Sequence, residues 1–143
     1  MTSQPSVSKF PSSAPSVPRS LRVLVVDDER DTVLMLSTLL RNEGHETRGA
    51  GSAADVWRLI DAFDPDVVLL DIGLPDRSGY EVAQELRKRF GEQRPKLIAV
   101  TAWNKSSDRI LAQIAGFDHH VGKPYDPNTL LALVASLATG HES

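Results

Sequence analysis

Apolar residues fall in short blocks along this chain, and the spacing inside each block decides the element it predicts. Leu21 to Val26 is an unbroken run rich in β-branched residues, too short for a helix, which predicts a strand covered on both faces. Asp31 to Asn42 sets Val33, Leu36, Leu39 and Leu40 at helical spacing, with Gly44 where a C-terminal cap glycine belongs. Glu46 to Arg48 reads as a short polar strand. Ser52 and Asp55 then make a Ser-x-x-Asp resembling a capping box ahead of Val56, Leu59, Ile60 and Phe63, which predicts a second helix.

The same alternation continues to the end of the chain. Val67 to Leu70 is a second buried strand between Asp64-Pro65-Asp66 and the loop Asp71 to Arg77. Ser78 and Glu81 suggest another capping box, opening a helix through Val82, Leu86 and Phe90. Lys96 to Val100 is a strand, Ser107 to Ala115 a helix, and His119 to Val121 a short strand before Gly122-Lys123-Pro124. Asp126 caps a last helix that has Pro127 at its first position and apolar residues from Leu130 to Leu137. Strands alternating with helices at roughly 20 to 25 residues per unit predict an α/β fold, a doubly wound five-stranded parallel sheet with helices on both faces. Right-handed crossovers then bring every strand-to-helix loop to one edge, where ligands bind.

Composition narrows the function. The first twenty residues hold four of the nine prolines, seven serines and no acidic residue, so residues 1–20 are expected to be a disordered tail. The folded domain is expected over 21–139, with 140–143 as a C-terminal tail. A net charge of −3 without a long basic stripe argues against direct nucleic-acid binding. The absence of cysteine excludes disulfides, zinc–thiolate sites and a cysteine nucleophile, and fits a reducing compartment. No run of roughly 18 apolar residues is present to span a membrane. Cytoplasm is the expected location.

The predicted sheet edge collects a distinctive set of side chains. Asp27 and Asp28 follow the first strand, Asp71 ends the third, Thr101 the fourth and Lys123 the fifth. Singly, an Asp after a strand is commonly a helix cap, a Thr a turn residue and a Lys solvated surface. Together they make a small site in which three carboxylates repel one another unless a cation compensates them. Mg²⁺ suits oxygen donors without a His or Cys cluster, and Lys123 adds a fixed positive charge.

These residues resemble the receiver domains of bacterial two-component response regulators over essentially all of Leu21 to Leu137. Four blocks carry the resemblance in order: Val25-Val26-Asp27-Asp28-Glu29, Asp71-Ile72-Gly73-Leu74-Pro75 with Ser78-Gly79, Thr101-Ala102, and Lys123-Pro124. The resemblance is to chemotaxis-type receivers, and the blocks Gly116 to His120 and Asp71 to Pro75 look most like receivers attached to hybrid histidine kinases. It implies a flavodoxin-like strand order 2-1-3-4-5. It also implies that Asp71 accepts a phosphoryl group from the histidine of a sensor kinase or phosphotransfer protein and thereby switches a protein-binding face. Mg²⁺ would be held by Asp28, Asp71 and the Gly73 carbonyl, with Asp27 contributing through water. Lys123 and Thr101 would contact the phosphoryl oxygens, and Lys123-Pro124 would be a cis peptide.

One position departs from the family pattern. Three residues before the lysine, where receivers commonly carry Tyr or Phe as a switch residue, stands His120, which can titrate near neutrality. The chain ends soon after the last helix, so output is expected through binding to another protein. Other readings fare worse. Gly49-Ala50-Gly51-Ser52-Ala53-Ala54 fits the dinucleotide fingerprint G-x-G-x-x-A with Asp71 about twenty residues on, but the strand before it is short and polar. An aspartyl-phosphate phosphatase needs a second acid two positions after the nucleophile, where this chain has Gly73. A receiver-like adaptor that works without phosphorylation would be expected to lack a pocket residue, and all are present.

Overall fold

The structure, a computed structural model, describes residues 19–139. Five strands, β1 (Arg22–Val26), β2 (Glu46–Ala50), β3 (Val67–Leu70), β4 (Lys96–Thr101) and β5 (His119–Gly122), alternate with five helices. These are α1 (Arg30–Asn42), α2 (Ala53–Phe63), α3 (Gly79–Phe90), α4 (Ser106–Ala115) and α5 (Pro127–Ala138). The sheet is parallel throughout, in the order β2-β1-β3-β4-β5.

Side chains alternate across each strand, so the continuous apolar runs of β1, β3 and β4 feed two separate cores. Leu24, Val26, Val68, Leu70, Leu97 and Ala99 face a core closed by α2, α3 and α4. Val23, Val25, Val67, Leu69, Ile98 and Val100 face the other, closed by Leu36 and Leu40 of α1 and by Leu130, Val134 and Leu137 of α5. Each fully buried aliphatic side chain contributes about 1.5–3 kcal/mol.

Most expected boundaries lie within two residues of the observed ones. β2 runs on to Ala50, because Gly49 leaves room for the Val33 side chain of α1 to close against the strand. The Gly49–Ala54 fingerprint therefore lies on an edge strand and the start of α2. Gly44 takes a left-handed conformation just past α1, with its amide bonded to the Arg41 carbonyl. The Ser52 hydroxyl accepts from the Asp55 amide, while the Asp55 carboxylate accepts from Gly51, one residue before the cap. The expected box between Ser78 and Glu81 does not form. Ser78 accepts from the Tyr80 amide instead, and Glu81 pairs with Arg77. Of the expected tails, only Arg19 and Ser20 fall within the described residues. Arg19 donates its amide to the Ala138 carbonyl and Ser20 its hydroxyl to the Gly44 carbonyl.

Candidate functional site: an acidic pocket at the strand tips

The ladder of β-sheet hydrogen bonds continues one residue past the strand ends, and that extension fixes the pocket. The Asp27 amide donates to the Ala50 carbonyl at 3.0 Å, Asp71 to Val26 at 3.0 Å, and Lys123 to Thr101 at 2.8 Å. Asp27 and Asp71 are thus held by backbone that follows the fully buried Val26 and Leu70, and Lys123 by backbone that follows the half-buried Gly122. Asp27 is 4% exposed, Asp71 9% and Thr101 0%, whereas Asp28 is exposed.

Carboxylate oxygens of Asp27, Asp28 and Asp71 lie within 4.8 Å of one another, the one such His, Asp or Glu group among the described residues able to hold a metal ion. The donor set is wholly hard oxygen, which fits Mg²⁺. The Lys123 ammonium lies 2.7 Å from Asp27 Oδ2 and 3.4 Å from Asp71 Oδ2. Partial burial by itself would lower its pKa. The hydrogen bond to Asp27 and the charge of Asp71 outweigh that effect and hold it above the ordinary lysine value. The remaining Asp27 oxygen accepts from the Glu29 amide at 3.0 Å, and Asp71 Oδ1 accepts from the Gly73 amide at 3.1 Å. The Lys123–Pro124 peptide is cis.

Thr101 and His120 meet at a third residue, Trp103. The Trp103 amide donates to Thr101 Oγ1 at 3.2 Å, and its carbonyl oxygen lies 2.9 Å from His120 Nε2. A carbonyl only accepts, so Nε2 carries the proton. His120 Nδ1 is buried and has no hydrogen-bond partner among the described residues. Burial lowers the His120 pKa, the bond to Trp103 opposes that shift in part, and the net direction is down. His120 is therefore neutral at pH 7 and stands outside the carboxylate cluster, connected to it through Trp103 and Thr101.

The 71–79 loop holds features that sequence spacing does not signal. A Cβ on Gly79 would lie 2.6 Å from the Asp71 carbonyl oxygen and 2.6 Å from Ile72 Cα, so α3 can begin this close to the acceptor loop only as glycine. The Gly79 amide donates to the Ile72 carbonyl at 2.7 Å. Asp76, at the loop's far end, bonds two amides of α2. The Trp103 indole nitrogen is 3.9 Å from where a Gly73 Cβ would sit, and its ring lies 6.3 Å from that of Tyr80.

A doubly wound parallel sheet carrying three carboxylates, a lysine and a buried threonine at its carboxyl edge defines an aspartate-centred receiver architecture. Comparison with known proteins agrees. The family model for the response regulator receiver domain matches residues 23–135. A CheY-like response regulator receiver domain protein from Methanospirillum hungatei is 27% identical, with a TM-score of 0.77 over 85% of this chain and 96% of its own. A putative response regulator from Chloroflexus aurantiacus is also 27% identical, with a TM-score of 0.76 over 85% of this chain and 99% of its own. The BeF3-activated DrrB receiver domain is 28% identical, with a TM-score of 0.72 over 79% of this chain and 92% of its own. The chain belongs to the response regulator receiver domain family, and its function is that of a phosphoacceptor receiver. Among the described residues no helix is long and apolar enough to cross a membrane.

Proposed function

We propose that Asp71 is the phosphoacceptor of a two-component phosphorelay, taking its phosphoryl group from a phosphohistidine of a sensor histidine kinase or a histidine phosphotransfer protein. The observation that carries this reading is the Asp71 carboxylate at the tip of β3, faced by Lys123 at 3.4 Å and clustered with Asp27 and Asp28. An Asp71 carboxylate oxygen attacks phosphorus. The phosphorus–nitrogen bond of the donor breaks, its electron pair stays on the imidazole nitrogen, and an acyl phosphate is left on Asp71. Lys123 neutralises charge on the phosphoryl oxygens.

Asp28, Asp71 and the Gly73 carbonyl would hold Mg²⁺, with Asp27 contributing through water. When bound, the ion supplies charge neutralisation and alignment of the phosphoryl group. The Thr101 hydroxyl already accepts from the Trp103 amide, so its proton is directed elsewhere and serves a phosphoryl oxygen. Movement of Thr101 toward that oxygen pulls on Trp103, whose carbonyl His120 holds, and the 101–104 loop relays the change to a protein-binding face. The chemistry is self-phosphorylation from the donor phosphohistidine and slow hydrolysis in the cytoplasm, with no direct nucleic-acid or membrane partner.

Incubation with a small labelled phosphodonor and Mg²⁺ tests the assignment. The wild type gains one hydroxylamine-sensitive phosphoryl group, and Asp71→Asn gains none. Labelling of Asp71→Asn at the wild-type rate would overturn it.

A further inference from the structure

The pocket has two walls. One is the β1–α1 turn with Asp27 and Asp28. The other is the 71–79 loop with Asp71 and Gly73. They approach each other across the start of α2, because the Asp27 amide is bonded to Ala50, three residues ahead of that helix.

Asp76 spans this gap. Its Oδ1 accepts from the Ala53 amide at 2.9 Å and its Oδ2 from the Ala54 amide at 3.0 Å. The third amide of the same turn, Asp55, goes to Ser52. A helix N-terminus thus takes two of its caps from a residue 23 positions away, on the loop that carries Gly73. Both oxygens of one carboxylate are used, so the loop is fixed in rotation as well as position. At its base the same loop is closed by the bond from the Gly79 amide to Ile72. With base and tip tied, the intervening Gly73 backbone has little freedom, and its amide holds the Asp71 carboxylate.

We propose that Asp76 is a positioning residue, a strap between the 71–79 loop and α2 that presets the Gly73 carbonyl and Asp71 carboxylate for the cation. The proposal rests on the metal-binding reading given above. It separates two functions that a helix cap usually combines. Ser52 stabilises α2 alone, whereas Asp76 stabilises α2 and holds the pocket wall. Groups that orient a metal's ligands change affinity by about ten- to a hundredfold, and Asp76 acts one step further out, which sets an expectation of about three- to tenfold.

Calorimetric titration of the full chain with Mg²⁺ reads this without phosphoryl transfer, and amide hydrogen exchange reads the strap itself. Asp76→Ala is expected to weaken Mg²⁺ binding about three- to tenfold and to speed exchange at Ala53, Ala54 and Gly73. Asp76→Asn, which keeps a single accepting oxygen, falls between. Ser52→Ala removes a cap from the same helix without touching the loop, so it lowers stability and leaves Mg²⁺ affinity at the wild-type value. Wild-type affinity in Asp76→Ala would overturn the proposal. So would an equal loss in Ser52→Ala, which would trace the effect to helix stability. A wild type without any saturable Mg²⁺ response would instead overturn the metal assignment, and the strap's role with it.

Discussion

The Lys123 ammonium sits closer to Asp27, at 2.7 Å, than to the Asp71 it faces, at 3.4 Å. In the unphosphorylated protein the lysine therefore spends its charge chiefly on a carboxylate that is not the acceptor, and it must lean toward Asp71 when phosphoryl oxygens arrive.

Replacing Lys123 by Gln removes a positive charge beside the proposed cation site. Mg²⁺ is expected to bind more tightly, by about three- to tenfold or ~0.7–1.4 kcal/mol, in a calorimetric titration. Unchanged or weaker binding would show that the ammonium and the ion do not compete. Because the folded-state pKa of Lys123 is raised, its contribution to stability is complete below the ordinary value of 10.5 and fades as pH rises through the folded value. The stability gap between wild type and Lys123→Gln should stay level from pH 7 to 10.5 and narrow above it.

Trp103 is 48% exposed, yet its indole nitrogen lies 3.9 Å from the position of a Gly73 Cβ. The ring thus lies beside the acceptor loop, where it is expected to screen a phosphoryl group on Asp71 from water while Gly73 offers no side chain to orient one. Trp103→Ala should lose its phosphoryl group several-fold faster, as expected for a barrier lower by about 1 kcal/mol. Equal or slower decay would assign the indole to partner binding instead.

His45 gives the fold a pH dependence unrelated to the pocket. It is 8% exposed and its Nδ1 accepts the Leu21 amide at 3.1 Å, a bond that requires the neutral ring. Burial lowers its pKa below 6.5, against a smaller opposing effect of Glu43. The unfolded chain therefore binds this proton more readily, so the stabilisation is complete above pH 6.5 and is lost as pH falls through the folded value. His45→Asn keeps an acceptor without the titration. Urea denaturation should show wild type losing stability relative to His45→Asn below that pH, and parallel curves would refute it.

Arg87 is a structural staple outside the site. Its side chain is 11% exposed and donates to the carbonyls of Gly116, Gly91 and Pro95 and to the Asp118 carboxylate. Arg87→Ala leaves several acceptors unpaired and should cost about 2–4 kcal/mol in urea denaturation. A loss under about 1 kcal/mol would mean that water replaces the guanidinium at no penalty.

The strand and helix order was legible because each block has a single period, and the parity of the β1, β3 and β4 runs already implied two covered faces. Asp27, Asp28, Asp71 and Lys123 were legible as neighbours because chain order in a parallel α/β fold carries every strand end to one edge. What pairs with what across that edge was not. The preference of Lys123 for Asp27, the bonds of Asp76 to α2 and the link of His120 to the Trp103 carbonyl all join residues far apart in the chain. Local pattern misled at Ser78, where close packing of Gly79 on the Asp71 backbone accompanies a different cap. It also ended β2 early, because the space at Gly49 is filled from another element.

The reacting groups hang from strand tips, while Leu34 and Met35 of α1 and Ile110, Leu111 and Ile114 of α4 point away from the cores on helix surfaces. Two kinds of inheritance follow. A substitution beneath the strands moves the carboxylates themselves and is constrained by the chemistry, whereas one on an outer helix face leaves them in register. Such a scaffold lets the surface diverge from copy to copy at little cost to the reaction, so one chemistry can serve many separate conversations.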